Sequence, residues 1–490
     1  MMLAEKQQVG RLDESLGPPH ERSLTLWMLI YVASLSFTWF PHPDRPGFFV
    51  GLQMSDLVFL GLLGSFVVAG GMRWVRLKGW DYLVLAYIAG SLLSLFRVEN
   101  PVAVEKQIVT SVYLALVYFT IGTLCVDEHR RSVAGRAIAG AAGILSLAGT
   151  VYVLAYLIFG LPPAPHALRD FVPYALPEPV PYLGQTMRLD LFFPTPELLG
   201  CYLTIGVAFA LAFWMVGPPE FSAKYVALML VLILVTEVFT FSHSWVGFAC
   251  AATIACRQRG TGRLGLWIRR VLAAGTVALF IGVLFVSTFY IHDVEIDLRK
   301  VPAPDQPVDS HVLQKEEWPQ ITLSTTYGYL HYHVLKVLAW ETFLGHPASG
   351  VGLGNFRPVS EAAYQEGRLS ENCRRCEPHN TVLGQLAETG LLGGLPLLAL
   401  WAWLFLDGWR LLRSSQGTES EWIARGCFAG LVGLFVNGLY TDVMNFRFLW
   451  VSMAVLRGLA LSSQWTSAPR AQEATAQDAS YAGAQASTTV

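Results

Sequence analysis

Residues 345–356 read GHPASGVGLGNF, and after a polar gap residues 376–394 read CEPHNTVLGQLAETGLLGG. The second piece ends the longest polar loop in the chain and opens an apolar helix. Pro378 suits a first helical turn, where a missing N–H leaves nothing unpaired. Val382, Leu383, Leu386 and Leu391 then supply an apolar face. His379 and Asn380 at this entry read in two ways, as a capping pair or as a reactive one. A histidine in the first turn meets the positive end of the helix dipole, which favours the neutral imidazole that accepts a proton.

Outward from this stretch the chain is mostly apolar. It is 53% hydrophobic and only 14% charged, with 15 Trp and 28 Phe and a mean hydropathy of +0.44. Runs of roughly 20 apolar residues recur, the length that crosses a bilayer. About twelve are read, at 23–40, 48–70, 80–96, 102–126, 133–160, 191–216, 223–241, 243–257, 267–290, 383–406, 422–440 and 443–462. The expected fold is an all-α polytopic membrane protein with a long loop between its ninth and tenth spans. The divisions are an N-terminal segment 1–22, a bundle 23–290, a loop 291–382, a second bundle part 383–462 and a tail 463–490 rich in Ala, Ser, Thr and Gln and expected to be disordered. The net charge of −2 argues against a nucleic-acid partner. No cleavable signal pattern precedes the first apolar run, which is expected to be a retained anchor.

Lys and Arg fall in four clusters: Arg73, Arg76 and Lys78; Arg130, Arg131 and Arg136; Arg257, Arg259, Arg263, Arg269 and Arg270; Arg410 and Arg413. With the spans as read, all four lie on one side, which the positive-inside rule makes cytoplasmic, with both termini. The opposite side then receives the Pro-rich loop from Leu161 to Asp190, the turn FSHS at 241–244, the long loop, and the turn near Asp442. Within the long loop, Pro302, Pro304 and Pro307 predict irregular chain. Residues 327–344 predict an amphipathic helix with Leu330, Val334, Val337, Leu338 and Leu344 on one face.

Arg188, in MRLDLFFPTPELLG at 187–200, stands where the Pro-rich loop meets the sixth span. A guanidinium at that depth is costly unless it meets an anion, and its fork suits phosphate oxygens. Pairing with Asp190 or snorkelling is the plainer reading. Glu197 and Glu237 lie inside spans, either functional or paired in the bundle. Ser242, His243, Ser244, His331, His333 and Lys336 are chemically able to bind a lipid phosphate. Gly350, Gly352 and Gly354 lack the Rossmann spacing and a preceding strand, so they read as a tight turn whose amides are open to an anion. Cys373 and Cys376 are expected to form a local disulfide, and with His379 would be three zinc ligands lacking a fourth.

Together these motifs resemble the superfamily of bacterial O-antigen ligases and polymerases, membrane glycosyltransferases. The resemblance rests on Pro347, Gly350, Gly352, Gly354 and Phe356, then His379, Asn380, Leu383, Glu388, Gly390 and Gly393, with Arg188 upstream. It spans roughly residues 185–440; the first five runs match only in hydropathy. It implies a GT-C-like, cofactor-free and metal-independent enzyme of the inner membrane with a periplasmic site. The donor would be an undecaprenyl-diphosphate-linked glycan and the acceptor lipid A–core or another glycan. Arg188 would hold the diphosphate and His379 would serve the acceptor hydroxyl.

Two family arginines are missing. Ser242-His243 stands where Ser-Arg is usual, and His331, His333 and Lys336 occupy the region of the second. Histidine cations would make activity fall between pH 6 and 8. Ligase is favoured over polymerase, because neither Arg188–Gly200 nor Arg357–Gly367 meets the polymerase arginine–glycine spacing. A lipid-linked-glycan transporter is disfavoured by ionisable groups gathered at one face rather than at mid-span. A scaffold would leave Arg188 and His379 without a task.

Overall fold

The computed structural model describes residues 19–37, 53–94, 101–159, 174–180, 184–218, 223–257, 263–292, 326–329, 331–369 and 373–463. The expectations for the first eighteen residues, for Pro302–Pro307 and for the tail beyond residue 463 lie outside them. The architecture is mostly helical. In order, the helices are α1 Pro19–Ser34, α2 Met54–Val68, α3 Asp81–Leu93, α4 Pro101–Leu124, α5 Glu128–Phe159, α6 Pro196–Val216, α7 Ala223–Val238, α8 Ser244–Ala255, α9 Arg263–Thr288, α10 His331–Gly345, α11 Phe356–Gln365, α12 Thr381–Ser414, α13 Glu421–Asn437 and α14, 447–463.

A helix stands on each apolar run. Among the described residues, four are long and apolar enough to cross a membrane: Gln107–Leu124 of α4, Glu128–Ile158 of α5, α6 and α12. Others, including α2, α3 and α8, are apolar but shorter. α6 differs from the other three because 78% of its apolar window is buried within the protein. It is the central post, packed against α5, α7, α8 and α13. Asn437 of α13 joins them through hydrogen bonds from Gly247 N (3.1 Å) and to Thr204 Oγ1 (3.1 Å). Apolar residues cannot drive association inside lipid, so close packing and such polar contacts take over.

Two short antiparallel hairpins were not expected. β1 Tyr174–Val180 pairs with β2 Gly184–Leu191, Leu176 opposite Arg188. Pro177 and Pro179 make the sequence read as a loop, but a two-stranded ribbon is all edge, where proline is tolerated. β3 Phe289–His292 pairs with β4 Thr326–Tyr329 and brings the start of α10 beside the end of α9. α10 begins later than predicted and buries Leu335, Leu338 and Ala339, while Val337 and Leu344 are exposed. Its inner face packs with Phe356, Ala363, Leu369 and Cys373 in a small core of its own.

α12 is broken at Gly390, whose φ of 58° and ψ of −151° are not helical. The turn at 346–354 fills the break. Val351 N donates to Ala387 O (3.0 Å) and Gly352 N to Glu388 O (2.8 Å). In return Leu391 N and Leu392 N donate to Pro347 O (2.8 Å) and Ala348 O (3.2 Å). Interrupted backbone at such a depth persists only where protein satisfies it. A Cβ on Gly390 would lie 2.5 Å from the Ala348 carbonyl carbon, and one on Gly350 would lie 2.3 Å from that of Glu388. Both glycines are therefore demanded by close backbone approach.

The basic loops meet at one end of the bundle. Arg131 reaches Ser420 Oγ (3.4 Å), Arg425 reaches Arg257 O (2.6 Å), and Arg457 reaches Arg76 O (2.7 Å). Arg257 and Arg413 both lie over the Trp409 ring. A buried ion pair, Arg457 with Asp81 at 2.8 Å, ties α14 to the start of α3 there, and Tyr118 OH donates to the same carboxylate (2.6 Å).

Candidate functional site

The sequence candidates gather at the opposite end, where β2, α6, α10, the α7–α8 turn and the approach to α12 come together. Leu189 N donates to Phe239 O (2.8 Å), stitching β2 to the end of α7. Arg188 Nε donates to Thr240 O (3.2 Å), and Nη2 to Glu197 Oε1 (2.6 Å). Glu197 occupies the first turn of α6, behind the Thr195 cap and Pro196. Its carboxylate is paired with Arg188.

The FSHS turn is packed from beneath by Glu237, which is 2% exposed. Ser244 Oγ donates to Glu237 Oε1 (2.8 Å), and Trp245 Nε1 to Glu237 O (2.7 Å). Ser242 and Ser244 share a short hydroxyl contact. Glu237 thus shapes the turn that presents His243. The His243 ring stacks on Tyr440 at 5.4 Å and 6°, and meets Tyr332 edge-on at 6.2 Å.

α10 delivers Tyr332 and Lys336 from one face, as a spacing of four residues requires. The Tyr332 ring lies 4.6 Å from the His379 ring. Lys336 Nζ lies 4.9 Å over the Tyr440 ring. Tyr332 and Tyr440 are the members that sequence reasoning missed. Tyr332 stood in plain view between His331 and His333, but a helix scanned for an apolar face hides an aromatic that serves a site.

His379 was expected in the first helical turn but lies one residue before the cap. Asn380 is the N-cap: its Oδ1 accepts from Leu383 N (2.9 Å) and its Nδ2 donates to Leu439 O (3.1 Å). Asn outcompetes the preceding residues because its side chain reaches the free amides. His379 is left with φ of 49°, the left-handed region that a non-glycine residue enters at a cost. The imidazole is thereby turned toward Tyr332 at the mouth of the group.

Burial, then Lys336, holds the His379 pKa below the usual histidine value, against the pull of Glu377 and Glu197. Burial pushes His243 down to about 4; Lys336, Arg188 and His379 add to this and Glu197 opposes it. Both imidazoles are neutral at pH 7. His243 is therefore no cation at neutral pH. His333 is lowered by burial and by Lys336. The side chain of His331 lies outside the described residues. Burial lowers the Lys336 pKa from the usual lysine value.

Gly350, Gly352 and Gly354 do not face this group. Their turn is the splint across the break in α12, and the acceptor of its amides is internal. The Glu388 carboxylate accepts from Gly354 N (3.0 Å) and Phe356 N (3.3 Å), capping α11. Cys373 and Cys376 are thiols, and the expected disulfide is not formed. They sit in one tight turn, Cys376 N donating to Cys373 O (3.3 Å). Both side chains pack into the small core under α10. Among the described residues no three His, Cys, Asp or Glu side chains gather as metal ligands, so Cys373, Cys376 and His379 do not make a zinc set.

Chemically, the arrangement joins two cations, Arg188 and Lys336, to a neutral imidazole and a wall of aromatic rings. It suits an anionic group held beside a proton acceptor. No protein-family model matches the chain, and no curated protein matches it.

Proposed function

We propose that this chain is an O-antigen ligase-like glycosyltransferase of the bacterial inner membrane, moving a polysaccharide from undecaprenyl diphosphate to an acceptor such as lipid A–core. It crosses the membrane about twelve times, with both termini cytoplasmic and the site facing the periplasm. The observation that carries this reading is that His379, Tyr332, His243, Tyr440 and Lys336 stand against one another at the end away from the basic loops, with Arg188 hydrogen-bonded to Thr240 beside the turn that presents His243. Positive loops mark the cytoplasmic side.

In the reaction, the acceptor hydroxyl attacks the anomeric carbon while the bond from that carbon to the diphosphate oxygen breaks. His379 takes the hydroxyl proton. Arg188 and Lys336 meet the negative charge that grows on the departing lipid diphosphate. Tyr332, 37% exposed, offers a ring face to a sugar.

The test is transfer by purified protein from an undecaprenyl-diphosphate oligosaccharide, with and without lipid A–core. Product on lipid A–core that disappears in His379→Ala supports the ligase reading. A lengthening lipid-linked ladder without that acceptor makes it a polymerase. No turnover under either condition sinks both and returns the transporter and scaffold readings.

A further inference from the structure

Arg188 is already occupied by a carboxylate. Its Nη2 meets Glu197 Oε1 at 2.6 Å, and the two side chains are 16% and 32% exposed, so the pair opens onto the site instead of being sealed in the bundle. Glu197 stands on the first turn of α6, behind the Thr195 cap and Pro196, and its carboxylate is held by Arg188 and by its own backbone N–H, not by a second cation among the described residues. Its charge acts on His243, His379 and Tyr332, which places the carboxylate among the site groups. Lys336 differs: it makes no ion pair or hydrogen bond among the described residues and lies over the Tyr440 ring.

The charges can be balanced against the ligand class. Arg188 and Lys336 are positive, Glu197 is negative, and the two imidazoles are neutral. Glu377, whose charge also reaches His379, is answered by Arg357 at 2.8 Å, so Arg188, Lys336 and Glu197 leave the resting cluster with one net positive charge. A glycan-bearing lipid diphosphate carries two negative charges, one on each phosphate. It is matched only when both cations are available, which requires Glu197 to let go of Arg188. After transfer the lipid diphosphate becomes a monoester with a further ionisable oxygen. It would hold the same cations more firmly than the donor did.

We infer that Glu197 is a displaceable internal anion: it occupies the Arg188 fork at rest, yields it to a diphosphate, and competes to recover it when the product leaves. The inference rests on the donor-binding reading of Arg188 given above. Its physical sense is that a guanidinium facing a membrane rich in lipid phosphates would otherwise bind them indiscriminately. An internal competitor lowers affinity for every anion at Arg188, and the diphosphate recovers the loss by engaging Lys336 at the same time.

The experiment is a binding titration of full-length protein with inorganic pyrophosphate, using Glu197→Gln, Glu197→Ala, Arg188→Gln and the double variant Glu197→Gln/Arg188→Gln, each first checked for an unchanged melting transition. Glu197→Gln is expected to bind pyrophosphate about tenfold more tightly, the scale of a charge-assisted hydrogen bond released. That gain should vanish in the double variant. Glu197→Ala repeats the test should the amide disturb the fold. If Arg188→Gln weakens binding but both Glu197 variants bind no better than wild type, the inference falls and the donor reading stands. If Arg188→Gln binds like wild type, Arg188 is no phosphate ligand and both fall.

Discussion

Replacing Glu388 tests the claim that the glycine-rich turn is a splint and not an anion site. Its carboxylate accepts hydrogen bonds from Gly354 N and Phe356 N. A hydrogen bond contributes about 0.5–1.5 kcal/mol net, and a buried amide left without a partner costs about 1–3 kcal/mol. Phe356 is buried and Gly354 half-buried, so water can recover part of the loss at Gly354 alone. Glu388→Ala should therefore loosen the 346–369 segment by about 2–4 kcal/mol. Glu388→Gln, which keeps one acceptor oxygen without the charge, should lose about half of that. In the regime where the open form is sampled rapidly, 2–4 kcal/mol multiplies its population roughly 30- to 900-fold. Trypsin reads this directly, since Arg357, Arg368, Arg374 and Arg375 lie in the segment and beside it. Cleavage there, followed by mass spectrometry in detergent, should accelerate in the order wild type, Gln, Ala. Equal rates in all three would refute the capping role. Slow cleavage of the alanine variant restored only by added pyrophosphate would refute it differently, by making these amides an external anion site.

Other consequences follow from the same geometry. Gly390→Ala should cost several kcal/mol of melting stability, because φ of 58° with ψ of −151° is a glycine conformation and the new Cβ would strike Ala348; a thermal shift within a degree of wild type would contradict it. Asp81→Asn strips the charge from a carboxylate that meets a buried guanidinium, Arg457, and should destabilise by about 3–5 kcal/mol in a denaturation assay without altering pyrophosphate binding. Burial, reinforced by Glu377, raises Asp442 to about 7, against hydrogen bonds from Met444 N and Asn445. A folded-state value above the unfolded one stabilises at low pH and is lost as pH rises, so stability should decline from about pH 4 to 7 and the decline should flatten in Asp442→Asn; identical pH profiles would count against this. Tyr332→Ala should weaken transfer mainly through the substrate KM, leaving the pH dependence in place, if the ring serves as a sugar platform.

Much of the fold was legible because membrane length and apolar composition are read directly from sequence, and a helix lies on every apolar run. What was hidden had a common cause: backbone satisfied by backbone leaves little trace in side-chain pattern. The break in α12 at Gly390 is bridged by amides and carbonyls of Pro347, Ala348, Val351 and Gly352. In sequence it shows only as glycines thirty to forty positions apart. The β1–β2 hairpin was obscured by its prolines, and the pairing of α10 with α11 by a thiol core that read as a disulfide.

The site was legible in its members but not in their charge states. Arg188, His379 and Lys336 were picked out by residue type, and their placement depends on α10, which the sequence placed within four residues, and on the β1–β2 pair, which it did not foresee. Residue type alone left open whether His243 does a guanidinium's work or the donor site is altered. Stacked on Tyr440, with Lys336 and Arg188 near, it is pushed down to about 4 and cannot do that work at neutral pH. The positive charge then rests on Arg188 and Lys336, and the first of these is answered by Glu197. A pH profile separates the two pictures. Activity resting on histidine cations would decline from pH 6 upward. Activity resting on neutral His379 beside Lys336 should instead hold through neutrality. It should fall on the acid side, as protonation of His379 removes the proton acceptor, and on the alkaline side, as Lys336 loses its charge before an exposed lysine would. A rate already falling between pH 6 and 7.5, with Lys336→Met indistinguishable from wild type, would overturn that assignment.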